Sequence, residues 1–191
     1  MTPKTPEQFE MIRKERKDLL MAAALKLFAS KGFATTSIMD IAREAGVSKG
    51  LLYNYFESKD ELVKEIVLEG IQKITIDIDF DFSIKLDKQR FIQLIDKYFE
   101  LIEQSKDYWK LYMAVLAQPT VGDLVKGELF MMLEPFFSAV SQYYADKNEK
   151  NPLAFAFLLG AILDGVGIDY IFAPEQYPLM EIKEIIIEKL I

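Results

Sequence analysis

The chain has 191 residues and a mass of 22.0 kDa, with 51% hydrophobic and 28% charged residues: room for one good core or two small ones, and too little for a large multidomain enzyme. It contains no cysteine and no histidine, which excludes thiolate and imidazole nucleophiles, Ser/His/Asp relays, disulfide frameworks and the common zinc sites. The net charge of −7 and sequence pI of about 4.8 argue against a surface that coats nucleic acid everywhere, but residues 1–55 carry nine basic and six acidic side chains, leaving the other 136 residues a net −10.

No apolar leader follows Met1–Lys4. The first helix is written by Leu20, Ala24, Leu27 and Phe28, one apolar stripe ended by Lys31-Gly32-Phe33, where Gly32 supplies the left-handed cap. A short second helix starts at a capping box, Ser37 to Asp40, buries Ile38, Ile41, Ala42 and Ala45, and stops at Gly46. A short third runs from an N-cap at Ser48 to about Tyr55, with Val47, Leu52 and Phe56 inward and Lys49, Gly50, Leu51, Tyr53 and Asn54 outward. A second capping box, Ser58 to Glu61, opens a fourth helix that continues to about Ile71.

From Ile74 to Ile84 apolar and polar residues alternate, including Thr75; a strand, an extended linker and a distorted helix end are all open. Beyond it the pattern predicts helices over 87–104, 107–117, 121–144 with a kink or break at Pro135, 152–172 and 179–190. Leu153 to Phe172 is the most apolar stretch; Asp164 and Asp169 interrupt it, and it reads as a buried helix, not a bilayer span.

The second and third helices, joined by Ala45-Gly46-Val47, form a helix-turn-helix, whose second helix enters the major groove. Lys49 suits phosphate or a guanine edge, Gly50 permits close approach of the backbone, Leu51 suits a thymine methyl, and Tyr53, Asn54 and Tyr55 offer hydroxyl and amide groups. Thr36, Ser37, Ser48, Lys59 and the run Arg13, Lys14, Arg16, Lys17 are candidates for phosphate. Each also has a plain structural role, as a cap, a packing residue or a solvated helix face.

The segment from Thr35 to Leu62, with Ala24 to Phe33 before it, resembles the signature of TetR-family transcriptional regulators over roughly residues 12 to 65. The resemblance implies an all-α homodimer with an N-terminal three-helix DNA-binding domain, placed here at 1–58, and a C-terminal helical domain at 59–191 for effector binding and dimerisation. It also implies phosphate contacts by Thr36 and Lys59, a reading surface from Lys49 to Asn54, and aromatic backbone contacts by Tyr53 and Tyr55. Leu51 departs from the small polar residue frequent in the family, which replaces a hydrogen bond by an apolar contact.

Of 24 aromatic residues, 18 lie beyond residue 66. Tyr98, Trp109, Tyr112, Met113, Leu116, Phe130, Met131, Phe136 and Phe137 form either an apolar effector pocket or ordinary core. Ala156, Gly160, Leu163 and Gly167 with Ile182 and Ile186 form either a dimer interface or internal packing. Asp77, Asp79 and Asp81 lack the Gly and Glu of a calcium loop, and Asp164 and Asp169 do not share a helix face as an acid/base pair. The expectation is a cytoplasmic, non-enzymatic regulator without metal or cofactor, whose partners are a palindromic double-stranded operator, a second copy of itself and a small apolar or amphipathic effector. The rival readings are a helical binding or scaffolding protein and a carboxylate-based hydrolase or lyase.

Overall fold

The computed structural model describes residues 5–104 and 106–191; Met1–Lys4, on which the reading of the N-terminus rests, lie outside the described residues, as do Ser105 and the Thr75 side chain. Among the described residues there are nine helices and no strand: α1 (Pro6–Lys31), α2 (Ile38–Glu44), α3 (Lys49–Tyr53), α4 (Lys59–Ile78), α5 (Lys88–Gln104), α6 (Lys106–Leu116), α7 (Pro119–Asp146), α8 (Pro152–Phe172) and α9 (Leu179–Leu190). The fold is all-α.

These helices form two compact units. The first comprises the described residues up to Glu69 together with Ala114–Lys126; the second comprises Gly70–Met113 and Gly127–Ile191. The division between these units falls inside α4. Leu62, Val63, Ile66 and Val67, on the first turns of α4, are buried and belong to the first unit, as do Val115, Val121 and Val125 around the α6–α7 corner.

In the first unit, α1 begins well before its apolar stripe. Thr5 and Gln8 form a capping box, Pro6 occupies the first helical position, and the Glu, Lys and Arg residues that follow are good helix formers. Only the C-terminal half of α1, from Leu20 to Phe28, is buried; Phe9, Met11 and Leu19 remain exposed. Gly32 ends the helix at φ 90°, a conformation that disfavours side chains, and Phe33 folds back edge-on to Phe28 at 5.2 Å.

In the second unit, α4 continues through Ile78 and ends where Asp79 takes φ 44°. The alternating segment is thus a helix end followed by a turn: Ile78 is buried while Ile76 is exposed, Ser83 donates to the Asp81 carboxylate, and Arg90 and Lys97 donate to the carbonyls of Asp81 and Asp79. Pro135 lies within an unbroken α7. Phe91 sits edge-on to Tyr143 at 4.8 Å, and Lys183 on α9 pairs with Asp96 on α5 at 2.9 Å.

Candidate nucleic-acid interface and effector domain

The α2–α3 pair is fixed almost entirely by local bonds. Ser37 accepts from the Asp40 N–H while Asp40 accepts from the Ser37 N–H, closing the capping box. At the other end of α2, Val47 N–H donates to Ala42 O and Gly46 N–H to Arg43 O, with Gly46 at φ 66°: a Schellman turn that aims the chain into α3. Ser48 accepts from Leu51 N–H at 3.1 Å. Ile41, Leu52 and Phe56 are buried beneath the pair.

This leaves Ser48, Lys49, Gly50, Tyr53 and Asn54 exposed and Leu51 half-buried. The Lys49 ammonium lies 5.7 Å from the Tyr53 ring centre, and a Cβ on Gly50 would meet nothing within 4 Å. The helix ends at Tyr53, earlier than the spacing predicts; Asn54 is its C-cap, and half-buried Tyr55 lies under the Arg13 guanidinium at 5.9 Å.

Three residues expected to contact phosphate are engaged within the chain. Thr36 is 1% exposed and its hydroxyl donates to Gly32 O at 2.8 Å, so it has no proton to offer a phosphate. The Ser37 hydroxyl donates to the Asp40 carboxylate at 2.6 Å. That bond and the Ser37 N–H hold the Asp40 carboxyl below its ordinary range, so the N-terminus of α2 already carries its own anion. Lys59 turns inward: its ammonium donates to Phe33 O at 2.7 Å, Thr36 O at 2.9 Å and Ala34 O at 3.4 Å, with the Phe33 ring at 4.4 Å. An ammonium has three protons, and here backbone carbonyls take them all. On α1, Lys17 is paired with Glu65, whereas Arg13, Lys14 and Arg16 are exposed.

Residues 20–66 match the family model described as bacterial regulatory proteins, tetR family. The HTH-type transcriptional regulator HbdR of Aromatoleum sp. (strain CIB) is 51% identical over 49 residues, 26% of this chain and 21% of its own length. The HTH-type transcriptional repressor KstR2 of Rhodococcus jostii (strain RHA1) is 31% identical over 134 residues, 70% of this chain and 63% of its own. The chain thus spans less than two thirds of each of these relatives. In fold, a tetR family transcription regulator from Shewanella sp. PV-4 superposes with a TM-score of 0.75 at 23% identity, covering 92% of this chain and 95% of that one. Residues 20–66 thus carry a DNA-binding module of the TetR type.

The residues expected to line an effector pocket stand in several places. Leu116 falls in the first unit. Trp109 and Tyr112 are buried against each other at 5.4 Å, and Gly70 lies directly against the Tyr112 ring; Met113 is half-buried. Phe130 and Met131 are exposed, and Phe130, Phe136 and Phe137 stack in a cluster with Phe157. Tyr98 donates to Leu163 O at 2.5 Å. A cleft of about 720 Å³ in the second unit lies elsewhere, between Phe82–Leu86 and the Glu134 to Asp146 stretch of α7.

The small-residue stripe of α8 also turns inward. Ala156, Leu163 and Gly167 are buried, as is Ile186 on α9; Ile182 is half-buried. Gly167 makes the notch for the Tyr98 hydroxyl, 2.6 Å from where a Cβ would stand, and half-buried Gly160 faces the Phe137 ring at 3.1 Å. Gly160 and Gly167 accommodate the chain's own aromatics. Among the residues that α8 and α9 expose are large apolar ones: Leu153, Phe157, Leu158, Ile168 and Phe172, with Met180 and Ile185. By length and composition α8 could cross a membrane, but one face of it is core. Sequence reasoning passed over Gln118, read only as punctuation before Pro119; nothing in its local pattern marks it.

Proposed function

We propose that the chain is a cytoplasmic DNA-binding transcriptional regulator, a repressor that leaves a palindromic operator when a small apolar or amphipathic effector binds. The observation that carries this reading is the exposed face of α3, where Lys49, Gly50, Tyr53 and Asn54 stand clear of a helix pair held by caps at both ends. Backbone contacts come from Arg13, Lys14 and Arg16. The test is selection of bound duplexes from a random pool at near-physiological salt. An inverted repeat is expected, weakened about tenfold or more by Tyr53→Ala and by Lys49→Ala; failure to enrich any repeat favours a binding or scaffolding protein. Gly50→Ala separates folding from reading. It is expected to leave thermal stability unchanged or raised by up to about 1 kcal/mol, yet to weaken the repeat, because the new methyl occupies the path of the DNA backbone.

Two copies pair through the exposed apolar residues of α8 and α9, setting the two α3 helices about 34 Å apart. Ile168→Lys, on that face, is expected to shift sedimentation from dimer toward monomer without loss of helicity; a dimer that persists places the interface elsewhere. The effector site is centred on Trp109, whose buried indole N–H has no partner among the described residues and would pair with an acceptor on the ligand. Release is a population shift: the effector must bind the form with the wrong α3 spacing more tightly than the operator-bound form.

A further inference from the structure

We infer that Gln118, at the α6–α7 corner, is a positioning residue for DNA reading: it locks the α1–α2 loop from which the α2–α3 pair hangs. The inference rests on the reading of α3 as the DNA-contacting helix.

A helix leaves its last carbonyls and the first amides beyond it without partners. At the end of α1 the Phe33 N–H finds its acceptor 85 residues away, and Phe28 O, which already accepts from Gly32 N–H, takes a second bond from 90 residues away. The Gln118 side-chain oxygen accepts from Phe33 N–H at 2.6 Å, and its amide nitrogen donates to Phe28 O and to Ala114 O, both at 3.0 Å. All three polar positions of the side-chain amide are engaged. The corner is also packed: Val115, Val121 and Val125 around it are fully buried and belong to the same unit as α1 to α3.

The contacts close into a circuit. Gln118 holds Phe33 N–H; Phe33 O and Thr36 O are held by Lys59; Thr36 donates to Gly32 O; Gly32 N–H and Gln118 share Phe28 O. Phe33, Ala34 and Thr36 of the α1–α2 loop are therefore tied to the corner or to α4.

The experiment uses the full chain and the duplex that the wild type enriches, with a random duplex as reference. Gln118→Met keeps the shape and removes all three bonds; Gln118→Glu keeps the acceptor for Phe33 and loses the donor, which preserves the test should the methionine variant unfold. Gln118→Met is expected to weaken the enriched duplex about tenfold and the random duplex by less than about twofold, since no charge changes. Amide exchange at Phe33 is expected to accelerate about tenfold in Gln118→Met and to stay near wild type in Gln118→Glu. Equal weakening of both duplexes, or unchanged preference despite faster Phe33 exchange, overturns the positioning role, and so does a Phe33 amide that stays equally protected in Gln118→Met. A wild type that enriches no duplex overturns the DNA reading beneath it.

Discussion

Lys59→Met is expected to destabilise the first unit by about 2 kcal/mol, a fall of roughly 5 °C in thermal midpoint, because three backbone carbonyls lose a charged donor at once. The value is taken low in the range for charged hydrogen bonds because the side chain is only half-buried. The same variant separates two roles for this lysine. A phosphate contact, once removed, lowers the slope of log affinity against log salt by about one and leaves the fold intact. A lysine that staples Phe33, Ala34 and Thr36 to the start of α4 does the reverse: the midpoint falls and the salt slope stays. Calorimetry and a salt titration on one preparation decide between them, and a reduced slope with an unchanged midpoint would return Lys59 to the DNA face.

Gly70→Ala is expected to cost the second unit about 2 kcal/mol net, although alanine is the better helix former by about 1 kcal/mol. Gly70 lies inside α4, and a Cβ there would stand 2.1 Å from Tyr112 Cε2. Tyr112 has no exposed surface, and Trp109 and Tyr108 flank its ring at 5.4 and 6.2 Å, so the ring has nowhere to swing. Helix propensity and packing predict opposite signs, which makes urea unfolding a clean arbiter. Adding Tyr112→Leu to Gly70→Ala is expected to cost less than the two single changes summed, since the smaller side chain opens the space. A stabilised Gly70→Ala protein would mean that the close approach of α4 to Tyr112 is absent in solution.

Much of the fold was legible because helix ends are local. Ser37 with Asp40, Ser48 with Leu51, and Gly32 and Gly46 at positive φ act within five residues, and each stands where the spacing places it. The exposed residues of α3 follow from the same arithmetic once Leu52 is recognised as buried. The Ile74 to Ile84 stretch misled because alternation over so few residues is shared by a strand and by a helix that frays into a turn, and only the contacts of Ile78 and Asp79 separate them. In α8 nearly every residue is apolar, so periodicity marks no inward face; the bulk of Tyr98 and Phe137 on other helices does that.

The sequence by itself determined that this is an all-α chain with a capped, TetR-like helix-turn-helix near its N-terminus, because caps, turns and the spacing of apolar residues are properties of neighbours along the chain. The tertiary structure alone showed that Thr36 and Lys59 are bonded within the chain, that Gly160 and Gly167 make room for aromatics, and that Gln118 closes the end of α1. Each of those outcomes depends on which distant group arrives opposite a donor or a gap: Lys59 meets a carbonyl 26 residues away, and Gln118 one 90 residues away. A long polar side chain fits a phosphate contact and a buried bond equally well until its partner is in place.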